Sequence, residues 1–170
     1  MNYLEKKNFI KINQRQKIKI SNLVGSDVIL GFQSKNSIIT SRGSIKRYSN
    51  CPKFYTLLVK PKFGCSTKEI YSKVKKFSKS KYNNPKKFMF SQKYLSIQEN
   101  DLENVVFSIY PKLRELKNFL LENDNLSFVR MTGSGSVLVA YFQLKQDCEI
   151  AKVILKRKFK KYWCNTAKTI

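Results

Sequence analysis

The sequence predicts an α+β protein, with a ferredoxin-like sandwich over residues 54–170 and a partial lobe over residues 1–53. The first observation behind this prediction is the order of segments from Phe54 onward, where strands and helices follow as β-α-(loop)-α-α-β-β-α-β. The second is the brevity of residues 1–53, which are too few to bury a core of their own. We therefore expect the first segment to be the remnant of a larger lobe.

Two or three short strands are predicted between residues 26 and 49, with turns at Lys35-Asn36 and at Arg42-Gly43. The stretch before them, INQRQKIKISNLVGSDV, is ambiguous. Ile18 and Ile20 alternate with charged residues as in a strand, yet Ile20, Leu23 and Val24 also fit one face of a helix. Periodicity alone leaves both structures open for this stretch.

The second lobe is predicted to open with a buried strand, FYTLLVKP, which Pro61 closes. A helix follows that Ser66 or Thr67 can cap, and its apolar face has helical spacing. The members of that face are Ile70, Val74 and Phe77. Residues 79–93 are polar, and we expect them to form a loop.

Two amphipathic helices are predicted over residues 100–110 and 111–123, and Pro111 occupies a favoured position in the first turn of the second. Then come a strand, a glycine-rich turn and a second strand. A helix from residue 147 to about residue 158 and a short strand over residues 161–165 complete the order.

Composition is typical of a globular protein, with 42% hydrophobic and 13% aromatic residues in a chain of 170. No apolar run approaches the roughly 18 residues of a membrane span, and the first residues lack a signal-peptide apolar region. These features predict a cytoplasmic protein with no membrane partner. The sequence has no histidine, which excludes histidine catalysis. Four cysteines without a CxxC pair argue against a zinc site, so we expect free buried thiols.

The charge is strongly positive, with 34 Lys and Arg against 11 Asp and Glu and a net charge of +23. Such a charge suits a polyanionic partner. However, only six of the basic residues are arginines, the better ligands for phosphates and base edges. The densest basic stretches are Lys73–Lys87 and Lys156–Trp163. We favour solvated lysines from a coding bias over a nucleic-acid patch.

The turn Gly133-Ser134-Gly135-Ser136 interrupts an otherwise good hairpin. Glycines have no Cβ, so the backbone N–H groups of such a turn can converge on an anion, to which serine hydroxyls can add donors. A plain hairpin turn that needs glycine for positive φ explains the same residues. Taken by itself, the turn favours the plain hairpin.

Five segments carry a family resemblance in their order and spacing. They are VGSDVILGF from Val24, SRGSIKRYS from Ser41, LVKPKFGCSTKEIYSKVK from Leu58, NDLENVVFSIYPKLRELK from Asn100 and VRMTGSGSVLVAYF from Val129. Together they resemble the later part of the 4-diphosphocytidyl-2-C-methyl-D-erythritol kinases, a family of the GHMP kinase superfamily. The resemblance covers nearly the whole chain, and it implies small-molecule kinase activity. It also implies that residues 1–53 are part of an ATP-binding lobe and residues 54–170 a substrate-binding lobe.

The resemblance also implies a substrate site. In this family the T-G-S-G-S turn lies beside the substrate diphosphate, and its residues here are Thr132, Gly133, Ser134, Gly135 and Ser136. Arg130 can support the same charge. Thr67 and Tyr71 are placed near the cytidine, with Tyr71 offering a flat face for the base. Tyr71 can equally well cover helix surface beside Val74, and both interpretations stay open.

Asp27 is the catalytic candidate that the resemblance implies. A kinase acting on an alcohol needs a carboxylate to accept or orient the hydroxyl proton, and the aspartate of the family's G-S-D-V motif falls on Asp27. Ile29 stands where the family usually has proline. Taken by itself, Asp27 reads as a loop aspartate that caps the next turn. Asn100-Asp101 matches an N-D-L-E motif, which we interpret mainly as a helix cap.

The family's phosphate loop, P-x-x-x-G-L-G-G-G-S-S, has no counterpart in the sequence, and the family's early lysine is also missing. The resemblance implies ATP and Mg²⁺, but we identify no ATP-binding residue. We therefore expect a chain that is inactive alone and needs an N-terminal fragment as partner. One alternative is a basic RNA-binding α+β module, although no RNP-type strand is present. Another is a different GHMP kinase, such as a homoserine or mevalonate kinase.

Overall fold

The structure, a computed structural model, describes residues 11–24, 28–40, 43–79 and 82–170. The chain divides into two compact units, Met1–Ser49 and Asn50–Ile170. Each is described by itself.

The described part of the first unit contains helix α1 (Gln14–Val24), a 3₁₀ turn (Val28–Phe32) and a hairpin of β1 (Asn36–Ile39) and β2 (Ile45–Tyr48). A capping box begins α1. The Gln16 N–H donates to Asn13 Oδ1 at 2.9 Å, and the Asn13 N–H donates to Gln16 Oε1 at 2.8 Å. This reciprocal cap decides the ambiguous stretch in favour of a helix.

Of the two or three strands predicted between residues 26 and 49, two form, and Val28–Phe32 is a 3₁₀ turn. Its carbonyls are held by a side chain rather than by a neighbouring strand. The Arg47 guanidinium donates to Ile29 O at 2.8 Å and to Leu30 O at 3.3 Å. The predicted hairpin does form, and Gly43 in its connection has a φ of +76°. The neighbouring Arg42 lies outside the described residues.

The second unit is built on a sheet of β3 (Tyr55–Lys60), β4 (Leu126–Met131), β5 (Leu138–Phe142) and β6 (Trp163–Lys168). The strand order is β4-β5-β3-β6, and every pair is antiparallel. This is the strand order of a ferredoxin-like sandwich, so the predicted fold class is confirmed. β3 is one of the two central strands, and its Leu57 lies opposite both Ala140 and Thr166.

The helices of this unit are α2 (Thr67–Lys73), a 3₁₀ turn (Lys87–Phe90), α3 (Gln92–Ser96), α4 (Glu103–Ile109), α5 (Pro111–Leu121) and α6 (Lys145–Lys158). Pro111 is the first residue of α5, as predicted. The last strand begins at Trp163 and reaches Lys168, because it pairs with β3 along its whole length. Within the described residues, no helix combines the length and apolar character that crossing a membrane requires.

Two predictions between residues 66 and 96 are wrong in their boundaries. Helix α2 ends at Lys73, so Phe77 is not on it, and Val74 is extended. Beyond it, the Ser78 N–H and Oγ donate to Asp101 Oδ2 at 2.8 and 3.0 Å, a contact that a continued helix would not make. The predicted loop over residues 79–93 contains the 3₁₀ turn Lys87–Phe90 and the first two residues of α3. Ser91 caps α3 by accepting from the Tyr94 N–H at 3.3 Å.

The core lies on one face of the sheet, where the helices pack. Residues that pair across the strands share a face. The fully buried members include Leu57, Val59, Leu116, Leu138, Ala140 and Leu155. The opposite face carries rings of Phe54, Phe128 and Tyr141 that contact one another. The two strands on either side of the glycine-rich turn, β4 and β5, are thus held in place by the helices packed on one of their faces.

Candidate functional site

The glycine-rich turn connects β4 to β5 over residues 132–137. Its base is closed by the Thr132 N–H, which donates to Val137 O at 3.0 Å, and the Gly135 N–H donates back to Thr132 O at 3.0 Å. Gly133 and Gly135 both have positive φ, +54° and +88°. This conformation strains any residue with a Cβ, so the local backbone explains both glycines.

The two glycines differ in their surroundings. A Cβ at Gly135 would lie 3.1 Å from Met131 Sδ and 3.2 Å from Cys65 Sγ, whereas a Cβ at Gly133 would meet nothing within 4 Å. Gly135 is therefore packed against the body of the unit. Gly133 faces open space, with exposed Thr132 before it and half-buried Ser134 after it.

Thr67 is brought to this turn from the other side of the site. Its Oγ1 lies 2.8 Å from Ser134 Oγ, and either hydroxyl can donate. The segment before α2 is also tied to the turn, because buried Ser136 donates from Oγ to Phe63 O at 2.9 Å. Two segments 67 residues apart in sequence thus form one surface with adjacent hydroxyls.

Tyr71 lies one helical turn after Thr67, on the same face of α2. Its side chain is 53% exposed, and its ring centroid is 6.3 Å from that of Phe77 at a tilted angle. An exposed ring one helical turn beyond Thr67 suits stacking on a base. The contact with Phe77 also suits simple surface packing, so the geometry leaves both interpretations of Tyr71 open.

Arg130 does not serve the turn as the sequence suggested. Its Nη2 donates to Gln98 O at 2.7 Å and also to Leu95 O, at the end of α3. Its guanidinium lies 5.3 Å from the centre of the Phe128 ring. Arg130 alternates with Met131 along β4 and therefore belongs to the sheet face opposite the core.

Asn100 and Glu103 contact the turn and the end of β4 in a way that the sequence did not predict. Asn100 Nδ2 donates to Met131 O at 3.0 Å and to Gly133 O at 2.8 Å. Glu103 Oε1 accepts from the Met131 N–H at 2.7 Å. The available signal is the N-D-L-E motif over residues 100–103, in which Asn100-Asp101 predicts mainly a helix cap.

Burial raises the pKa of the Cys65 thiol beside Gly135, which makes it a poor nucleophile at neutral pH. On α6, burial raises the pKa of the Cys148 thiol to about 11. The negative charge of Glu149 raises this pKa further, and the positive charge of Lys152 lowers it. All four cysteines are free, and Cys65 is half-buried where we expected a buried thiol.

Asp27 lies outside the described residues. In the part of the chain that the structure describes, no group of three or more acidic, cysteine or histidine side chains is placed to hold a metal ion.

The face of the sheet opposite the core is a poor RNA platform. An RNA-binding sheet of this topology stacks bases on exposed aromatic rings. Here Phe128 is 7% exposed, and its ring is stacked on Tyr141 with the centroids 4.2 Å apart. These rings contact each other and leave little surface for a base.

Comparison with known proteins identifies relatives along the whole chain. The family described as GHMP kinases C terminal matches residues 74–161. The 4-diphosphocytidyl-2-C-methyl-D-erythritol kinase of Pelagibacter ubique is 49% identical over 170 residues, which are 100% of this chain and 60% of the relative. The kinase of the same name from Anaplasma phagocytophilum is 30% identical over 87% of this chain and 51% of its own length.

A solved structure is also similar. The crystal structure of a 4-(cytidine 5'-diphospho)-2C-methyl-D-erythritol kinase superimposes with a TM-score of 0.76 at 18% identity, covering 96% of this chain and 60% of that one. At this identity the likeness shows the fold. The chain spans between half and two thirds of the length of these relatives.

Proposed function

The chain belongs to the GHMP kinase family, and we propose that it forms the substrate-binding part of a 4-diphosphocytidyl-2-C-methyl-D-erythritol kinase. In that reaction the 2-hydroxyl of the methylerythritol is phosphorylated at the expense of ATP, in the non-mevalonate route to isoprenoid precursors. The observation that carries the proposal is the contact of Thr67 Oγ1 with Ser134 Oγ at 2.8 Å. It joins two predicted substrate residues in a chain that is 49% identical to a kinase of this name.

The diphosphate is proposed to bind over Gly133, beside the paired hydroxyls of Thr67 and Ser134. Open space at Gly133 lets the phosphate oxygens approach the backbone, and both hydroxyls can rotate to donate to them. Thr132 is exposed on the same turn. Gly135 contributes indirectly, because its packing against Cys65 and Met131 fixes the path of the turn.

The cytidine is proposed to stack on Tyr71. Stacking of a base on an aromatic ring contributes about 1–3 kcal/mol. The spacing of Thr67 and Tyr71 along one face of α2 suits a ligand whose diphosphate lies at the first residue and whose base lies one turn further on.

Asp27 is proposed to accept or orient the proton of the hydroxyl that is phosphorylated. This assignment depends on the resemblance of the G-S-D-V motif alone. In the same way, residues 1–53 are proposed to belong to the ATP-binding lobe and residues 54–170 to the substrate-binding lobe.

ATP and Mg²⁺ are assigned no ligands in this part of the chain, since the described residues offer no metal-binding cluster and the sequence has no phosphate loop of the family type. When bound, they supply the phosphoryl group and neutralise its charge. We propose that a further polypeptide segment provides their site, and that residues 1–170 alone do not catalyse phosphorylation.

Binding by the 170-residue chain tests the substrate site directly. Isothermal titration with 4-diphosphocytidyl-2-C-methyl-D-erythritol should detect binding that Thr67→Val and Ser134→Ala each weaken roughly tenfold, since a hydrogen bond to a charged group contributes about 1.5–3 kcal/mol. Ser72→Ala is the matched control, because Ser72 Oγ donates only within α2, to Glu69 O. Equal affinity in all four proteins would contradict the assignment of the diphosphate.

Tyr71 is tested in the same titration. Tyr71→Phe keeps the flat face and should bind nearly as well as the unaltered chain, whereas Tyr71→Ala should lose about 1–3 kcal/mol of binding free energy. Unchanged affinity in Tyr71→Ala would show that the ring only covers the helix.

Turnover is tested in a chimera in which this chain replaces the matching 60% of the Pelagibacter ubique kinase. We expect ATP-dependent phosphorylation of the cytidylyl substrate. Asp27→Asn should keep substrate affinity and lose most of kcat. A folded chimera that binds the substrate without turning it over would contradict the proposed reaction, and near-normal kcat in Asp27→Asn would remove that residue from the mechanism.

A further inference from the structure

Asn100 sits where the start of α4, the end of β4 and the glycine-rich turn meet. Its carboxamide makes three hydrogen bonds to backbone groups. Nδ2 donates to Met131 O at 3.0 Å and to Gly133 O at 2.8 Å, while Oδ1 accepts from the Leu102 N–H at 3.0 Å. One half-buried side chain therefore holds three backbone segments together.

Glu103 completes the contact from the first turn of α4. Its Oε1 accepts from the Met131 N–H at 2.7 Å, and its Oε2 accepts from Lys117 Nζ. Both backbone groups of Met131 are thus satisfied by side chains three residues apart. Since β4 is an edge strand, these groups would otherwise lack a strand partner.

The bond to Gly133 bears on ligand binding. A carbonyl oxygen that points at a diphosphate repels it, whereas the N–H groups of the same turn attract it. The hydrogen bond from Asn100 Nδ2 keeps the Gly133 carbonyl oxygen pointing toward Asn100. Resting on the proposed function, we propose that Asn100 is a positioning residue that orients the glycine-rich turn for the substrate diphosphate.

The residue type fits this role. An asparagine carries two N–H donors and one acceptor on the same group, and the three bonds use both kinds. An aspartate of the same shape would keep the acceptor for Leu102 but bring a carboxylate against two carbonyl oxygens. The pair Asn100→Asp and Asn100→Ala thus separates repulsion from the mere loss of donors.

Selective ¹⁵N-glycine labelling of the 170-residue chain tests the proposal, because the six glycines give six amide resonances. Gly133→Ala and Gly135→Ala assign two of them by loss. Asn100→Asp should move both turn resonances and leave those of Gly25, Gly31 and Gly43, in the first unit, unchanged. Asp101→Asn is the matched control, because Asp101 holds Ser78 and no residue of the turn.

The same resonances then follow a titration with inorganic pyrophosphate and with cytidine 5'-diphosphate. We expect Asn100→Asp to weaken the binding of both probes at least tenfold, and Asn100→Ala to weaken it less. These affinities are measured in samples that urea titration shows to be fully folded. A purely structural asparagine would lower the urea midpoint without changing the affinity of the folded chain.

The outcomes separate the positioning role of Asn100 from the proposed diphosphate site. Turn resonances that stay in place in Asn100→Asp would overturn the positioning role, as would turn resonances that move without any change in affinity. If the unaltered chain binds neither probe, the proposed diphosphate site fails. In that case displaced turn resonances would still support control of the turn by Asn100, and unmoved ones would refute it.

Discussion

The two compact units bury very different side chains. In Asn50–Ile170, the core is a cluster of 18 buried hydrophobic residues, and ten of them have no exposed surface at all. Among the residues of this first unit whose burial the structure describes, the buried ones are Ser21 and Thr40, both small and polar. Leu23 and Val24 at the end of α1 are 79% and 69% exposed.

The difference shows that regular secondary structure and a hydrophobic core need not occur together. The first unit has a helix and a hairpin, which are held by a capping box, by the Arg47 guanidinium and by the hydroxyls of Thr40 and Ser44 at 2.7 Å. Such hydrogen bonds contribute about 0.5–1.5 kcal/mol each. Burial of a large aliphatic side chain contributes more, and in the described chain it is confined to the second unit.

Hydrogen exchange should show the largest contrast. Amides of β3 and β5 are expected to exchange only on global unfolding, at roughly 5–15 kcal/mol, whereas amides of α1 exchange by local opening at a small fraction of that value. The measurement is native-state exchange followed by mass spectrometry or NMR. Equal protection in both units would contradict the comparison, because it would mean that they unfold as one.

Core truncation should give the next largest effect. Leu116 on α5 has no exposed surface, so Leu116→Ala should lower the unfolding free energy by about 2–5 kcal/mol in urea titration. Leu23→Ala, the matched control on α1, should change it by less than about 0.5 kcal/mol. A large loss in Leu23→Ala would reveal a buried contact of that side chain.

The glycine-rich turn extends the comparison to the edge of the core. Gly135→Ala should cost about 2–4 kcal/mol, because it combines positive φ with a clash against Cys65 and Met131. Gly133→Ala meets open space and should cost only the φ strain of about 1–2 kcal/mol. Thermal unfolding of the two variants shows which substitution destabilises the protein more. A larger loss in Gly133→Ala would contradict the packing that the structure gives to Gly135.

The smallest effect is expected at the start of α1. Asn13→Ala removes the acceptor of the Gln16 N–H and should destabilise the helix by about 1 kcal/mol. Because α1 is not part of the core cluster, faster exchange of the Gln16 amide should appear without a shift of the main urea transition. Loss of the main transition as well would show that α1 supports the second unit.

The sequence predicts the second unit better than the first, for a physical reason. Strands and helices that face a core repeat apolar residues at fixed periods, and FYTLLVKP and PKLRELKNFLLEN follow those periods. Where hydrogen bonds decide instead, periodicity is uninformative. The helical state of α1 depends on Asn13 with Gln16, and the 3₁₀ turn at Val28–Phe32 depends on the distant Arg47.

The candidate site shows the same limit. The glycines and Thr67 could be named from motifs, because the family resemblance carries them. Thr67 and Ser134, which are in contact, are 67 residues apart in sequence, and Asn100 and Gly133, which share a hydrogen bond, are 33 residues apart. Neither follows from local spacing. The hydrogen bonds from Arg130 to the carbonyls of Leu95 and Gln98 could not be predicted either, because these residues lie 35 and 32 positions before it in the sequence.

The central position of β3 has a consequence during synthesis. Its two neighbours are β5 and β6, so Leu57 and Val59 have no strand partner until residues 138–142 have been made. At 5–20 residues per second, the 77 residues from 61 to 137 take about 4–15 s. Over that interval the nascent chain carries an apolar strand with two open edges, the kind of segment that chaperones bind. Any pause of the ribosome between residues 61 and 137 therefore lengthens the exposure of β3.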